Sequence, residues 1–232
     1  MTDAAQTPQV PWVLQPGYEA VARRLLSTYF GTDGSNKPYT GACFEALGGG
    51  GDAPAHRDVI TPVDIVAVST LSVDVPAAAS IALLGPDADR VSALLSGIPD
   101  DVDLVDADDA LISEASPAVQ LWGLLRGYKG MGRTKTSKLM ARKRPRLVPI
   151  FDSVVERELG LNVSSGHWTG MREVLRADDG ALHRRAVTLQ DTPGVGPLIS
   201  PLRVIDIVVW MHGKDHARSE QWAHEEGLAT ST

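Results

Sequence analysis

Cysteine is the scarcest feature of this sequence. Among its 232 residues there is one cysteine, Cys43, so no internal disulfide can form, and a single thiol fits a reducing compartment. The first residues lack a basic segment followed by an apolar core, which predicts no secretory signal peptide. No apolar run is long enough to span a membrane. We therefore expect a soluble, cytoplasmic protein without a membrane partner.

Acidic residues are missing from one stretch. Residues 116–151 contain no Asp or Glu, although the net charge of the chain is -7. Nine Lys and Arg lie within residues 126–146, whereas residues 52–114 hold thirteen Asp and Glu against two Arg. Lysines and arginines on a helix are usually a solvated face, but this density exceeds what solubility needs. A localised basic patch on an acidic chain indicates a polyanionic partner bound at one surface.

The residues around this basic patch predict two helices joined by a tight turn. Ser116 followed by Pro117 is typical of a helix start, with Ser as the cap, and Gly127 should end that helix. The next residues, KGMGR at 129–133, place two glycines two apart, so the backbone can turn sharply and expose its N–H groups. A second helix should begin near Thr134, with its positive dipole end directed into the turn, where it could hold a phosphate.

Periodicity and punctuation by Pro and Gly predict helices through the rest of the chain. The predicted helices lie at 18–30, 41–47, 61–71, 76–84, 86–95, 153–159, 166–177, 181–190 and 202–211. The apolar run at 63–73 is rich in β-branched residues, so a buried strand is the alternative there. In the helix at 202–211, Arg203 and Asp206 can pair. The sequence thus predicts an all-α protein, with residues 1–232 as one domain or two helical lobes sharing a cleft.

The remaining segments are predicted as connectors. Residues 1–16 indicate an extended arm, and residues 214–232 a polar tail that frays. The glycine run at 48–51 lacks the Lys-Ser/Thr of a nucleotide loop and indicates a flexible connector. The acidic residues 100–109 lack the glycine and final Glu of a calcium loop, so a solvated linker is favoured. A second G-x-G turn at 192–197 is predicted to be a loop near the cleft.

One family resemblance rests on the hairpin and the residues after it. Residues 130–133, GMGR, followed by a helix, by a hydrophobic run at 147–151 and by Asp152 twenty residues after Gly132, resemble the helix-hairpin-helix DNA glycosylase superfamily, in particular its endonuclease III group. The resemblance covers about residues 117–157. The rest of the chain resembles an uncharacterised family of actinobacterial proteins.

The resemblance implies an all-helical, two-lobed fold and a set of site residues. In this superfamily the G-x-G hairpin grips the DNA backbone, and an Asp at the position of Asp152 lies in the cleft and assists cleavage of the N-glycosidic bond. The nucleic-acid-binding residues expected here are Lys129, Gly130, Met131, Gly132, Arg133, Thr134, Lys135, Lys138 and Arg142.

Two departures from the superfamily pattern limit the chemistry that is expected. Bifunctional members carry a Schiff-base Lys at the position of Thr134, and Lys135 is turned away by about 100 degrees on a helix, so lyase activity is not predicted. Members with an iron–sulfur cluster use four cysteines, which this chain does not have. No metal site and no cofactor are predicted.

Each of these features also has a plainer interpretation. Asp152 precedes a short helix and is an ordinary N-cap residue, and the glycine turn could merely connect two packed helices. The sequence therefore leaves three functions open: a monofunctional DNA glycosylase, a DNA-binding protein without catalysis, and an RNA-binding or interaction module. The oligomeric state and the target base are not indicated.

Overall fold

The structure, a computed structural model, describes residues 9–161 and 166–229. This part of the chain forms ten α-helices, three short 3-10 helices and no strand, which confirms the all-α prediction. The α-helices are α1 Glu19–Phe30, α2 Pro62–Ser69, α3 Ala77–Leu83, α4 Ala88–Ser96, α5 Pro117–Arg126, α6 Arg133–Lys143, α7 Ser153–Glu158, α8 His167–Leu189, α9 Pro201–Lys214 and α10 His216–Glu225. The 3-10 helices are Trp12–Leu14, Thr40–Cys43 and Leu47–Gly49. None of the helices described is long and apolar enough to cross a membrane.

The chain divides into two compact units. One combines Met1–Tyr39 with Asp152–Thr232 and is called the terminal unit here, and the other, Thr40–Phe151, is called the middle unit. The boundary after Phe151 falls between the hydrophobic run at 147–151 and Asp152. That the two units are lobes sharing one cleft stays a prediction.

Helix α9 is the centre of the terminal unit. Its start is fixed by Ser200, whose side chain accepts a hydrogen bond from the amide of Arg203, and by Pro201 at the first helical position. The helix buries nearly all its side chains and packs against α1, α7 and α8. The predicted packing of this apolar helix against the N-terminal helix is therefore confirmed, as is the pair of Arg203 with Asp206.

Two predictions for the terminal unit were wrong in part. Within the predicted N-terminal arm, residues 1–8 lie outside the described residues, but Trp12–Leu14 forms a 3-10 turn that buries Val13 and Leu14. Within the predicted tail, α10 is a regular helix capped by Asp215 and buries Ser219 and Ala223. Only residues 230–232 of that tail lie outside the described residues. In the described part of each segment, a few small or apolar side chains are buried in the core.

Helix α8 matches the prediction of two helices at 166–177 and 181–190. Its bounds are His167–Leu189, but the backbone leaves helical geometry from Ala177 to Gly180. Asp178, Asp179 and Gly180 have positive φ angles of 50, 56 and 82 degrees. Left-handed geometry at two aspartates followed by a glycine interrupts the helix with a kink. The segment is therefore two short helices joined by a left-handed turn.

The middle unit is built from α2 to α6, and its helices start where polar caps precede proline. Thr61 and Asp64 form a reciprocal capping box at the start of α2. This cap settles the choice between helix and strand for the apolar run at 63–73 in favour of helix. Ser116 accepts a hydrogen bond from the amide of Val119 at the start of α5. Helix α6 packs on both α2 and α5.

Two connectors of the middle unit differ from the predictions. The glycine run at 48–51 is not a free linker at its end, because Gly51 is buried and an added Cβ would lie 2.6 Å from Nε of Arg142. The acidic segment 100–109 is tied down by ion pairs. Asp100 accepts from Arg57 at 2.5 Å, and Asp103 pairs with Arg146 at 2.7 Å.

Candidate nucleic-acid interface

The predicted hairpin is present, with α5 and α6 joined by the six-residue loop 127–132. The amide of Met131 donates to the carbonyl oxygen of Tyr128 at 3.0 Å, and the Met131 side chain is buried. The Tyr128 hydroxyl donates to Oδ2 of Asp87 at 2.6 Å. The loop is thus anchored from within by one apolar side chain and one hydroxyl, which leaves its other residues at the surface.

The two glycines of the hairpin have different roles. Gly130 has a φ angle of +83 degrees, and an added Cβ would lie 3.1 Å from Cγ of Pro76, so a side chain there is disfavoured by both backbone and space. Gly132 has an ordinary φ angle of -78 degrees and is the N-cap of α6. An added Cβ at Gly132 would meet no atom within 4 Å. The second glycine therefore keeps the approach to the helix end open.

The amides at the start of α6 have no acceptors among the described residues. No hydrogen bond is donated by the backbone N–H of Gly132, Arg133, Thr134 or Lys135. Gly132 offers no side-chain cap, unlike Ser116 on α5. Four consecutive unsatisfied donors at the positive end of an 11-residue helix form a surface that favours an anion.

Four cationic side chains lie on or next to this hairpin. Arg126 and Lys129 are exposed, and Arg133 and Lys135 are half-buried. The guanidinium of Arg133 lies 4.0 Å from the centroid of the Phe151 ring, a cation–π geometry that fixes its position. None of the four forms an ion pair within the part of the chain that the structure describes. Their charge is therefore not neutralised by neighbouring carboxylates.

Two of the residues predicted to bind nucleic acid, Lys138 and Arg142, are buried in the middle unit instead of lying at the hairpin surface. Lys138 is 5% exposed, and its Nζ donates to the carbonyl oxygen of Leu71 at 2.9 Å. Arg142 is 3% exposed and donates to Oδ1 of Asp64 at 3.2 Å and to the carbonyl oxygens of Phe44, Glu45 and Leu47. Groups enclosed in this way cannot touch a nucleic acid at the surface. The assignment of Lys138 and Arg142 to the binding surface was wrong, because long-range partners draw them into the core.

Lys143 and Arg144 are buried next to Arg142. Nζ of Lys143 donates to the carbonyl oxygen of His56 at 2.8 Å and to Oδ2 of Asp64 at 3.1 Å. Burial lowers the pKa of Lys143, and Asp64 opposes that shift. Arg144 pairs with Asp58 at 2.5 Å and donates to the carbonyl oxygens of Leu95, Ile98 and Arg57. The expected basic patch is therefore split, and its C-terminal part, Arg142 to Arg144, is called the buried basic cluster here.

Asp152 is half-buried and caps α7. Its Oδ1 accepts a hydrogen bond from the amide of Val154 at 3.0 Å, which is the N-cap role that the sequence left open beside catalysis. The preceding residue, Phe151, belongs to the middle unit, where its amide donates to Oγ of Ser137 at 2.8 Å. The residue before Asp152 is thus held by two side chains of α6, Arg133 and Ser137.

Sequence reasoning missed the residues that bury the basic cluster. Asp64 is 1% exposed, and its carboxylate forms ion pairs with both Arg142 and Lys143. The signal for its position was the T-x-x-D pattern at 61–64, which indicates a capping box. The pattern places Asp64 in the first turn of α2 but says nothing of the partners, which lie about 80 residues later in the chain.

A second group of chemically active side chains lies in the terminal unit and was not predicted. Glu158, His212 and His216 each offer one ligand atom, and these three atoms lie within 4.8 Å of one another. Glu158 ends α7, His212 is in the last turn of α9, and His216 starts α10. The only sequence signal was the H-x-x-x-H spacing. We predicted no metal ligands, and among the described residues these are the ones that could hold a metal ion.

Fold and hairpin together define the class: an all-helical protein with a basic, glycine-containing helical hairpin. The chain belongs to the family of unknown function DUF6308, whose family model matches residues 22–213. That match includes the hairpin, Glu158 and His212, and it ends before His216. No curated protein and no solved structure matches the chain.

Proposed function

We propose that the hairpin of the middle unit binds the phosphate backbone of DNA and that the protein is a monofunctional DNA glycosylase. The observation that carries the proposal is the row of four unsatisfied amides at 132–135, next to unpaired cations in the same loop and first turn. Backbone N–H groups at a helix N-terminus bind phosphate oxygens without reading sequence. The interface is therefore a positioning contact, and recognition of a base takes place elsewhere.

The cationic side chains of the hairpin add electrostatic attraction to the proposed contact with DNA and make its affinity depend on salt. Lys129 and Lys135 would each neutralise a phosphate, and Arg133 would present its planar group from a position already fixed on Phe151. Each phosphate neutralised releases condensed counterions, so affinity falls as salt is added. The net charge of -7 opposes binding elsewhere on the chain, which orients the hairpin toward the DNA.

Asp152 is the residue proposed to act on the sugar. Cleavage of an N-glycosidic bond in DNA builds positive charge on the deoxyribose, and a fixed carboxylate beside that charge lowers the energy of the transition state. A carboxylate that also caps a helix is held in one orientation, so the cap and the catalytic role are compatible. Thr134 stands where a Schiff-base Lys would be needed, so the proposed reaction is hydrolysis, with water as the acceptor.

DNA binding is tested by fluorescence anisotropy with a short duplex at several salt concentrations. We expect wild-type binding that weakens linearly on a log–log plot of affinity against salt. The double variant Lys129→Ala, Lys135→Ala should bind more weakly, with the slope reduced by about one unit for each Lys. Arg146→Ala is the control, because Arg146 is exposed but already paired with Asp103. Equal effects of the control and the double variant would contradict a hairpin interface.

Catalysis is tested with duplexes that contain uracil, alkylated or oxidised bases, followed by alkali to cleave abasic sites. We expect strand cleavage after alkali with wild-type protein and none with Asp152→Asn at unchanged DNA affinity. Asp152→Asn keeps an N-cap side chain, so the fold should be retained. Cleavage without alkali would contradict the hydrolytic assignment. Equal activity of both proteins would remove Asp152 from the chemistry.

A DNA- or RNA-binding protein without catalysis is the second candidate. It is favoured by the structural use of Asp152 as a helix cap and by Thr134 in place of the Schiff-base Lys. In this case no damaged base is released, but the salt-dependent binding remains. Competition between duplex DNA, single-stranded DNA and duplex RNA of one sequence then identifies the preferred partner.

A further inference from the structure

Outside the hairpin, the terminal unit brings the side chains of Glu158, His212 and His216 together. We infer that these three side chains form a binding site for a divalent transition metal ion of the Zn²⁺ class, with one coordination position left open. The inference is independent of the proposed role of the hairpin, since all three residues belong to the terminal unit.

The donor set and its spacing match zinc chemistry. Two imidazoles and one carboxylate are a ligand set found at catalytic zinc sites, where water takes the fourth position. Donor atoms around a tetrahedral zinc ion lie about 3.4 Å apart. Nε2 of His216 already lies 3.0 Å from Oε2 of Glu158, and all three donors lie within 4.8 Å. Closing the site therefore needs a shift of about 1 Å, which the half-exposed His216 side chain can make.

A close approach of α7 to the end of α9 brings these residues together. Gly213 lies between the two histidines, and an added Cβ there would lie 2.5 Å from Cγ1 of Val154 and 2.7 Å from Cγ of Glu158. Only a residue without a side chain lets α7 come so close to the end of α9. Asp215 then breaks the helix with a φ angle of -152 degrees, yet the two imidazole rings remain 4.5 Å apart between centroids.

Glu158 is oriented in the way that metal-binding carboxylates are. Its Oε1 accepts two hydrogen bonds from Arg157, at 2.9 and 3.1 Å, while Oε2 faces His216. Arg157 is itself held by the carbonyl oxygen of Gly213 at 3.2 Å. Outer partners of this kind fix a ligand and are part of metal sites. One oxygen is thus restrained and the other is directed at the histidines.

His212 is the observation that points to a ligand. The residue is 4% exposed, and its Nδ1 is buried with no hydrogen-bond partner among the residues described. Its ring packs edge-on against Trp12, with centroids 5.2 Å apart, which fixes its plane. A buried imidazole whose plane is fixed and whose nitrogen has no hydrogen-bond partner can bind a metal ion.

The test is metal binding by the full chain after removal of metal with a chelator. Titration with ZnCl₂ in a calorimeter should give one ion per chain, and Co²⁺ in its place should give the intense visible bands of a tetrahedral site. Glu158→Gln and His216→Ala should each weaken Zn²⁺ binding by at least about 100-fold, and Arg157→Ala by about 10-fold. His224→Ala is the control, because His224 is an exposed histidine of the same helix α10.

The site would be overturned by the absence of stoichiometric binding to the wild-type chain, or by equal isotherms for wild type, Glu158→Gln and His216→Ala. A loss in His224→Ala as large as in His216→Ala would also overturn it, by showing general binding to surface histidines. Both ligand variants should fold, since Gln has the shape of Glu and His216 is half-exposed, and far-UV circular dichroism verifies this. If one variant fails to fold, the other still decides.

Discussion

The two ends of helix α6 carry similar residues in opposite surroundings. At its start, Arg133 and Lys135 are half-buried, and the first amides have no acceptors. At its end, Arg142 and Lys143 are almost fully enclosed, with every charged group hydrogen-bonded to a carbonyl or carboxylate oxygen. A continuous basic stretch in the sequence is therefore two different structures. One end remains available to a partner, and the other holds the middle unit together.

The comparison shows that positive charge in a helix is not in itself a binding surface. The negative end of the α6 dipole favours cations in the last turn, and the carbonyl groups of surrounding loops replace water around them. Burying three cations costs solvation energy that only a full set of partners can offset. Asp64 and Asp58 supply the opposite charge, and backbone carbonyl oxygens of residues 44–57 and of Leu95 and Ile98 accept the remaining hydrogen bonds.

The largest expected loss of stability comes from removing the Asp64 carboxylate that Arg142 and Lys143 of the buried basic cluster share. Asp64→Asn leaves Arg142 and Lys143 without a counter-charge inside the core. Breaking a buried pair in this way costs about 3–5 kcal/mol. The free energy of unfolding, measured by urea denaturation, should fall by that amount.

The control for this change is Asp100→Asn, which breaks the ion pair with Arg57. Both side chains of that pair are more than a third exposed, so the loss should stay within about 1 kcal/mol. If the two variants lose the same stability, the C-terminal end of α6 is not a structural core, and the contrast between its ends disappears.

An intermediate loss of stability is expected from a substitution of Gly51, the glycine that makes room for Arg142. Gly51→Ala would place a Cβ 2.6 Å from Nε of Arg142 and closer still to its carbonyl oxygen. Overpacking of this kind costs about 1–3 kcal/mol. The urea midpoint should fall, with hairpin-dependent DNA binding unchanged.

Gly123→Ala gives the matching control within the same unit. Gly123 is an exposed residue inside α5, and an added Cβ would meet no atom within 4 Å. Alanine should therefore stabilise the helix by about 0.5–1 kcal/mol. A destabilised Gly123→Ala would mean that α5 tolerates no side chain there, and the Gly51 result could not be assigned to Arg142.

Most helix boundaries could be predicted from the sequence. Ser or Thr followed by Pro marked the starts of α2 and α5, and Gly31 marked the end of α1, where its φ angle is +68 degrees. These are local signals, because a cap satisfies amides only two or three residues away. The hairpin was predicted for the same reason, since the positive φ angle of Gly130 is a local property of the turn that glycine adopts readily.

Burial of charge and assembly of the metal ligands could not be predicted in this way. Arg142 is drawn into the core by Asp64, far away in sequence, and nothing in its own neighbours distinguishes it from Lys135. Glu158 meets His212 only because Gly213 allows α7 to approach. Helix α10 was missed because its composition is polar and it reaches the core through small residues. Long-range packing decides all three cases, and a single sequence does not record it.

The smallest expected loss of stability comes from removing the Tyr128 hydroxyl, which holds the hairpin loop through its hydrogen bond to Asp87. Burial, and the hydrogen bond to the Asp87 carboxylate, raise the pKa of Tyr128 to about 12 from its usual 10. A group whose folded-state pKa is raised contributes stability that is fully present below the unfolded pKa. The contribution is therefore constant below about pH 10 and is lost as the pH rises through about 12.

Tyr128→Phe removes this hydrogen bond and should lower stability by about 1 kcal/mol at neutral pH. The difference between wild type and variant should shrink between about pH 10 and pH 12, where the wild-type hydroxyl ionises opposite Asp87. Urea denaturation of both proteins at neutral pH and at stepped alkaline pH measures this difference. A constant difference across that range would show that Tyr128 contributes through ring packing alone. The exposed end of α6 would then be positioned by the buried Met131 side chain rather than by the hydroxyl.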